Sequence, residues 1–191
     1  SEHQLMTHAD AAMGHAKQAG RNRYSFFDRS MTGTTRERLQ LLQDLPRALE
    51  LGQFALHYQP KYCAEDGRPL GAEALIRWLH PERGMVPPDS FIPLAERSGM
   101  IGPLGKWVLE EACRQMRAWR DAGHGDWRVA VNLSATQLAS PSLPAEVAAT
   151  LAAHAIAPGQ LTLEITETMA MRDADACLRT LGQLTDLGVR I

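Results

Sequence analysis

Three segments of the sequence carry oxygen-bearing side chains at spacings that bring them onto one face. In an extended strand, side chains two apart point the same way, so Gly71-Ala-Glu-Ala-Leu-Ile-Arg-Trp78 groups Glu73, Leu75 and Arg77. Val129-Ala-Val-Asn-Leu-Ser134 sets Ala130, Asn132 and Ser134 opposite Val129, Val131 and Leu133. Leu161-Thr-Leu-Glu-Ile-Thr-Glu167 sets Thr162, Glu164 and Thr166 opposite Leu161, Leu163 and Ile165. Each strand thus offers one apolar face for helices and one face with an oxygen ligand near its C-terminal end. Two carboxylates and an amide carbonyl are hard donors suited to Mg²⁺ or Mn²⁺, without the thiolate and imidazole ligands typical of zinc sites. The alternative is an antiparallel sheet whose polar face meets solvent, the commoner setting for such alternation.

The elements that must position these residues begin near residue 52. Extended runs are predicted at Phe54 to Lys61, Leu70 to Trp78, Arg128 to Ser134 and Leu161 to Thr166, with a fifth starting near Val189. Helical periodicity falls at Asp89 to Arg97, Leu104 to Ala122, Leu143 to His154 and Asp173 to Leu187. Such alternation predicts a mostly parallel sheet covered by helices, either open or closed into a barrel. The first two strands have no helix between them, so that pair is expected to be antiparallel. Upstream, residues 28 to 35 have the turn-rich composition of a connector, and Leu39, Leu42, Leu45 and Leu49 then lie on one helical stripe. Pro46 interrupts that stripe, which predicts a new helix start capped by Asp44. The first 27 residues read as one helix ended by Gly20 and one strand at Tyr24 to Phe27, too little to fold alone.

Composition narrows the function classes. With 20 basic and 22 acidic residues and a net charge of -2, the chain lacks the basic footprint of a nucleic-acid binder, while a small anionic ligand remains compatible. Cys63, Cys113 and Cys177 are odd in number and far apart, so neither a disulfide framework nor a zinc knuckle is expected and a reducing, cytoplasmic setting fits. No apolar run approaches the ~18 residues of a membrane span, and Ser-Glu-His-Gln at the start is not a signal peptide.

Two resemblances follow from linked motifs. Ala9-Asp-Ala-Ala-Met13, Ala16-Lys17 and Gly20-Arg-Asn-Arg-Tyr24 resemble the last helix and strand of a GGDEF (diguanylate cyclase) domain, departing from it at Gly14, where that family usually has Tyr. Glu73-Ala-Leu75 with Ile-Arg77-Trp78, His80-Pro81, Phe91-Ile-Pro-Leu-Ala-Glu96, Val131-Asn-Leu-Ser134 and Glu164-Ile-Thr-Glu167 resemble an EAL domain in order and rough spacing, and Tyr58-Gln-Pro60 resembles its first strand. The division implied is 1–27 as the C-terminal remnant of a GGDEF-like domain, 28–35 as linker and 36–191 as the N-terminal part of an EAL domain.

The EAL resemblance implies an α/β fold, a modified TIM-like barrel with its first strand antiparallel and incomplete in this chain. It implies hydrolysis of cyclic di-GMP to linear pGpG with two divalent metals, Mg²⁺ or Mn²⁺, per complete site. Glu73, Asn132 and Glu164 match its metal ligands, and Glu73 and Glu164 are the catalytic carboxylates retained here. Gln59, Leu75 and Arg77 match substrate-binding positions. Arg77 would contact a ligand phosphate with its planar cationic fork, or else form a rim salt bridge. Glu167 would support the site or a loop. The family's Asp-Asp-Phe-Gly motif, a later lysine, a glutamate and a glutamine are expected past Ile191, so this stretch alone is expected to be inactive. The expected partners are cyclic di-GMP and a second EAL domain in a homodimer, with no nucleic acid polymer and no membrane segment in this chain. The alternative function is a catalytically silent cyclic di-GMP receptor or a protein-interaction module.

Several other residues have plainer readings. Ser134 is a candidate for supporting the site or for capping the next helix. His57 shares a face with Gln59, where packing competes with a ligand role. His80 before Pro81 is expected to fix the loop after the second strand. Trp107, Val108, Met116 and Trp119 form a core-facing stripe and not a base-stacking platform. Gly102 and Gly105 precede a helix without following a strand, so they are not a phosphate loop.

Overall fold

The computed structural model describes residues 29–165 and 174–191, together with Met6, Ala9 and Met13. The expected strand at Tyr24 to Phe27, and Thr166 and Glu167 of the last motif, lie outside the described residues. The elements run α1 (Arg29–Glu50), β1 (Phe54–Tyr62), β2 (Pro69–His80), β3 (Gly84–Val86), α2 (Pro88–Ser98), α3 (Ile101–Asp121), β4 (Arg128–Asn132), α4 (Ala135–Leu138), α5 (Leu143–Ala153), a 3₁₀ turn at Pro158–Gln160, β5 (Leu161–Glu164) and α6 (Ala174–Asp186).

The sheet order is β1-β2-β4-β5, with β3 paired to β2. β1 is antiparallel to β2, whereas β2, β4 and β5 run parallel, as the missing crossover between the first two strands requires. The expected fifth strand is reduced to a single parallel bridge, Thr162 to Arg190, held by Leu163 N–H donating to Arg190 O at 2.8 Å. The hairpin strand β3 escaped the sequence reading. Its signal was Pro81-Glu-Arg-Gly84 between two extended runs, with Gly84 at φ 69°, a turn that favours glycine.

Alternation places one set of strand residues beneath the helices. Ala72, Ala74, Val129, Val131, Leu161 and Leu163 are buried, and most of them pack with Leu109, Met116, Val147 and Leu151 of α3 and α5 in one cluster. A second cluster joins α1 and α2 to the far end of β2 through Leu45, Phe54, Trp78 and Phe91. Trp78 and Phe91 are both fully buried, each worth roughly 1.5–3 kcal/mol of transfer free energy. Trp107 and Trp119 pack against these cores, as the helical stripe predicts.

The upstream segment differs from expectation in two respects. Helix α1 is continuous from Arg29 and runs through Pro46, so 29–35 are helical where composition predicts a turn-rich connector, and no restart occurs at Asp44. Asp44 cannot act as a cap because its carboxylate is engaged elsewhere: Gln40 Nε2 donates to it at 3.1 Å, and His80 Nε2 lies 3.3 Å from Oδ2. The buried face of α1 is Leu41, Leu45 and Ala48, and Leu39 is exposed. Among the described residues, no helix is long and apolar enough to cross a membrane.

Candidate functional site

The polar faces of β2, β4 and β5 meet on the side of the sheet away from the helices. Strand register aligns Glu73 with Ala130, and Asn132 with Glu164. Asn132 and Glu164 therefore stand two residues nearer the C-terminal strand ends than Glu73. Asn132 bridges the step, its Nδ2 donating to Glu73 Oε1 at 2.7 Å. The three residues that alternation selected are thus brought onto one surface by three consecutive parallel strands.

β1 adds a fourth edge to this surface. Its antiparallel register sets Gln59 opposite Glu73, His57 opposite Leu75 and Lys61 opposite Gly71. Lys61 Nζ forms an ion pair with Glu164 Oε1. Because β2 and β4 lie between β1 and β5, this contact spans the polar face instead of joining neighbours. Sequence reasoning missed Lys61, although it lies two residues past Gln59 and so belongs to the same face.

The remaining candidates divide. Leu75 and Arg77 are half-buried on the polar face of β2, while Gln59 and His57 are exposed. Arg77 Nη1 donates to Ile76 O at 2.8 Å, and among the described residues it has no carboxylate partner. Among those residues the rim salt bridge is therefore not formed, and they leave most of the guanidinium fork uncommitted. Ser134 is a helix cap: its Oγ accepts from Gln137 N–H at 3.2 Å, and Gln137 Oε1 accepts from Ser134 N–H at 3.0 Å. Strand β4 consequently ends at Asn132, before Ser134 can share its face. His80 holds the loop after β2, with Nδ1 accepting from Glu82 N–H at 3.2 Å.

Among the described residues, no group of three or more His, Cys, Asp and Glu converges, so a cation held on this face by described residues would draw on the Asn132 amide along with the two carboxylates. A cavity of about 840 Å³ opens beside the cluster, reaching Leu75, Arg77 and Asn132 but lined chiefly by apolar residues such as Leu104, Val108, Val131 and Leu163. It lies between sheet and helices, on the wrong side for the carboxylates, and its chemistry is that of packing. Gly102 and Gly105 line this cavity within the first turns of α3, and a Cβ at Gly105 would overlap Gln137 Nε2. Gly105 thus makes room for the α4 cap. Tyr58 faces the helices, edge-on to Trp119 at 4.9 Å. Burial, reinforced by the nearby Glu111 carboxylate, pushes its phenol well above the ordinary range, which removes it from proton transfer at the site.

Comparison with known proteins gives a consistent picture. A family model described as the EAL domain matches residues 42–191. The bifunctional diguanylate cyclase/cyclic di-GMP phosphodiesterase MucR of Pseudomonas aeruginosa is 54% identical over 191 residues, all of this chain and 28% of that protein. Cyclic di-GMP phosphodiesterase NbdA of the same organism is 41% identical over 188 residues, 98% of this chain and 23% of that protein. The chain therefore spans only about a quarter of the length of these curated relatives. Among solved structures, the PaMucR phosphodiesterase in complex with c-di-GMP matches with a TM-score of 0.76 and 55% identity, over 78% of this chain and 61% of that one.

Proposed function

This chain belongs to the EAL domain family, and from that premise we propose that it supplies part of the active site of a phosphodiesterase that hydrolyses cyclic di-GMP to linear pGpG. The observation that carries the reading is the convergence of Glu73, Asn132 and Glu164 on one polar face of parallel strands, with Asn132 and Glu164 the last residues of β4 and β5, the end where barrel enzymes keep their sites. The names of MucR and NbdA support the same activity.

The donor set fits a hard divalent cation. All three side chains offer oxygen, none is a thiolate or imidazole, and the Lys61 ammonium resting on Glu164 supports a position suited to positive charge. Glu73, Asn132 and Glu164 would hold Mg²⁺ or Mn²⁺, with the Asn132 amide turning its oxygen inward in place of its present donor contact. Bound as a pair in the complete domain, two such cations would supply an activated water for in-line attack on phosphorus. Arg77 would receive a phosphate, its guanidinium fork being uncommitted to any carboxylate among the described residues. Gln59 and Leu75 border the same face and would meet a guanine.

Domain assignments rest on the same resemblance. The EAL match begins at residue 42, whereas likeness to the bifunctional MucR extends over the whole chain, which supports reading 1–27 as a GGDEF remnant. A homodimer through EAL domains and a cytoplasmic location are further parts of this proposal.

The test is incubation of the protein carrying the complete domain with cyclic di-GMP and Mn²⁺. Linear pGpG is expected, and Glu164→Gln should slow its appearance at least about 100-fold, as loss of a metal ligand does. Tight binding of cyclic di-GMP without turnover would replace the hydrolase by a receptor.

A further inference from the structure

We propose that Lys61 is a built-in competitor for the cation site: its ammonium occupies the Glu164 carboxylate and must be displaced when a divalent cation binds there. The inference rests on the assignment of Glu164 as a cation ligand. It goes beyond that assignment in giving a role to a residue on a different strand.

The geometry carries it. Lys61 projects from β1 and Glu164 from β5, and the two strands are not neighbours, so the pair does not arise from sheet pairing. Its register partner is Gly71, two residues below Glu73 on β2, and the long aliphatic stem carries the charge across the polar face to Glu164. The carboxylates on this face are thereby compensated in different ways: Glu73 by a neutral amide donor at 2.7 Å, Glu164 by a full positive charge. A cation using both carboxylates meets a like charge at Glu164. The ammonium and the cation compete for the carboxylate at bonding distance, because like charges a few ångströms apart repel. Lys61 has somewhere to go, since its side chain is 44% exposed and Glu164 33% exposed. Displacement therefore costs the ion pair and little else, which makes Lys61 a tuning element and not a block.

The experiment uses the protein carrying the complete domain and Mn²⁺ alone, with free Mn²⁺ counted by electron paramagnetic resonance. Lys61→Met keeps the stem and removes the charge, and it should tighten Mn²⁺ binding by about fivefold, the size a half-exposed ion pair supports. Lys61→Arg retains the charge and should bind Mn²⁺ no more tightly than the native chain. Lys106→Met on α3 removes the same charge away from the face and should leave affinity unchanged. An unchanged or weaker affinity in Lys61→Met, with circular dichroism matching the native chain, overturns the proposal. If Lys61→Met fails to fold, Lys61→Gln takes its place: it should tighten Mn²⁺ binding to the same extent, and unchanged or weaker affinity in it overturns the proposal equally. The underlying site assignment is judged separately by Glu164→Gln. Mn²⁺ binding that survives it defeats that assignment, and so does a native chain and Lys61→Met that both bind no Mn²⁺. Loss of binding in Glu164→Gln with no effect of Lys61→Met defeats the competitor alone.

Discussion

Glu73 is half-buried on the polar face of β2, opposite the face that carries the buried Ala72 and Ala74. Among the described residues its carboxylate accepts one hydrogen bond, from Asn132, and it contributes nothing to the apolar layer. In the protein with the complete domain, Glu73→Ala should abolish cyclic di-GMP hydrolysis while changing stability by only about 1 kcal/mol, the net value of one hydrogen bond. Near-native turnover in the variant would remove Glu73 from the site. Arg77 behaves differently because it is positioned for the ligand and not for the cation. Arg77→Ala should raise the dissociation constant for cyclic di-GMP by roughly tenfold or more, the scale of a charged hydrogen bond, and leave Mn²⁺ affinity unchanged. An unaltered dissociation constant by calorimetry would assign Arg77 to the fold.

Elements are joined at a few close contacts, and two of them can be tested. Gly71 has φ +149°, and a Cβ there would overlap Arg128 O, the backbone of the strand to which β2 is paired. Backbone cannot swing aside as a side chain can, so Gly71→Ala should cost more than about 3 kcal/mol and part β2 from β4. A melting temperature within a few degrees of native would contradict this close approach. The second contact fixes α1 to β2. His80 Nδ1 accepts from Glu82 N–H, so the neutral ring carries its proton on Nε2 and donates it to Asp44, 3.3 Å away. Asp44→Ala strands that donor on a side chain only 5% exposed, at a cost of about 1–3 kcal/mol. Hydrogen exchange should then accelerate along α1 and remain native in β4 and β5. Uniform exchange across the chain would show that the contact does not anchor the helix.

At the scale of the whole molecule, the described sheet is an open arc. Among the described residues, β1 pairs only with β2, and β5 meets only β4 and the Arg190 bridge. Open edges and an uncovered polar face favour association, so residues 1–191 alone should self-associate in light scattering. They should also release no pGpG from cyclic di-GMP, because the described face offers two carboxylates and one amide, too few donors for a two-metal centre. Turnover by these residues above a Glu73→Ala control would show that the site needs nothing more.

Strand periodicity is a local property, and for that reason the sequence by itself selected Glu73, Asn132 and Glu164, separated their face from the Val131 and Leu163 face, and made the first strand pair antiparallel. Motif order then sufficed to place the family. What depended on distant partners was not legible. Asp44 reads as a cap until the fold brings His80 to it. Pro46 reads as a break, yet α1 runs through it packed on α2 and β2. Lys61 lies 103 residues from Glu164 in the chain. Alternation says which face a lysine takes, but only the register and curvature of the assembled sheet decide which carboxylate its ammonium can reach.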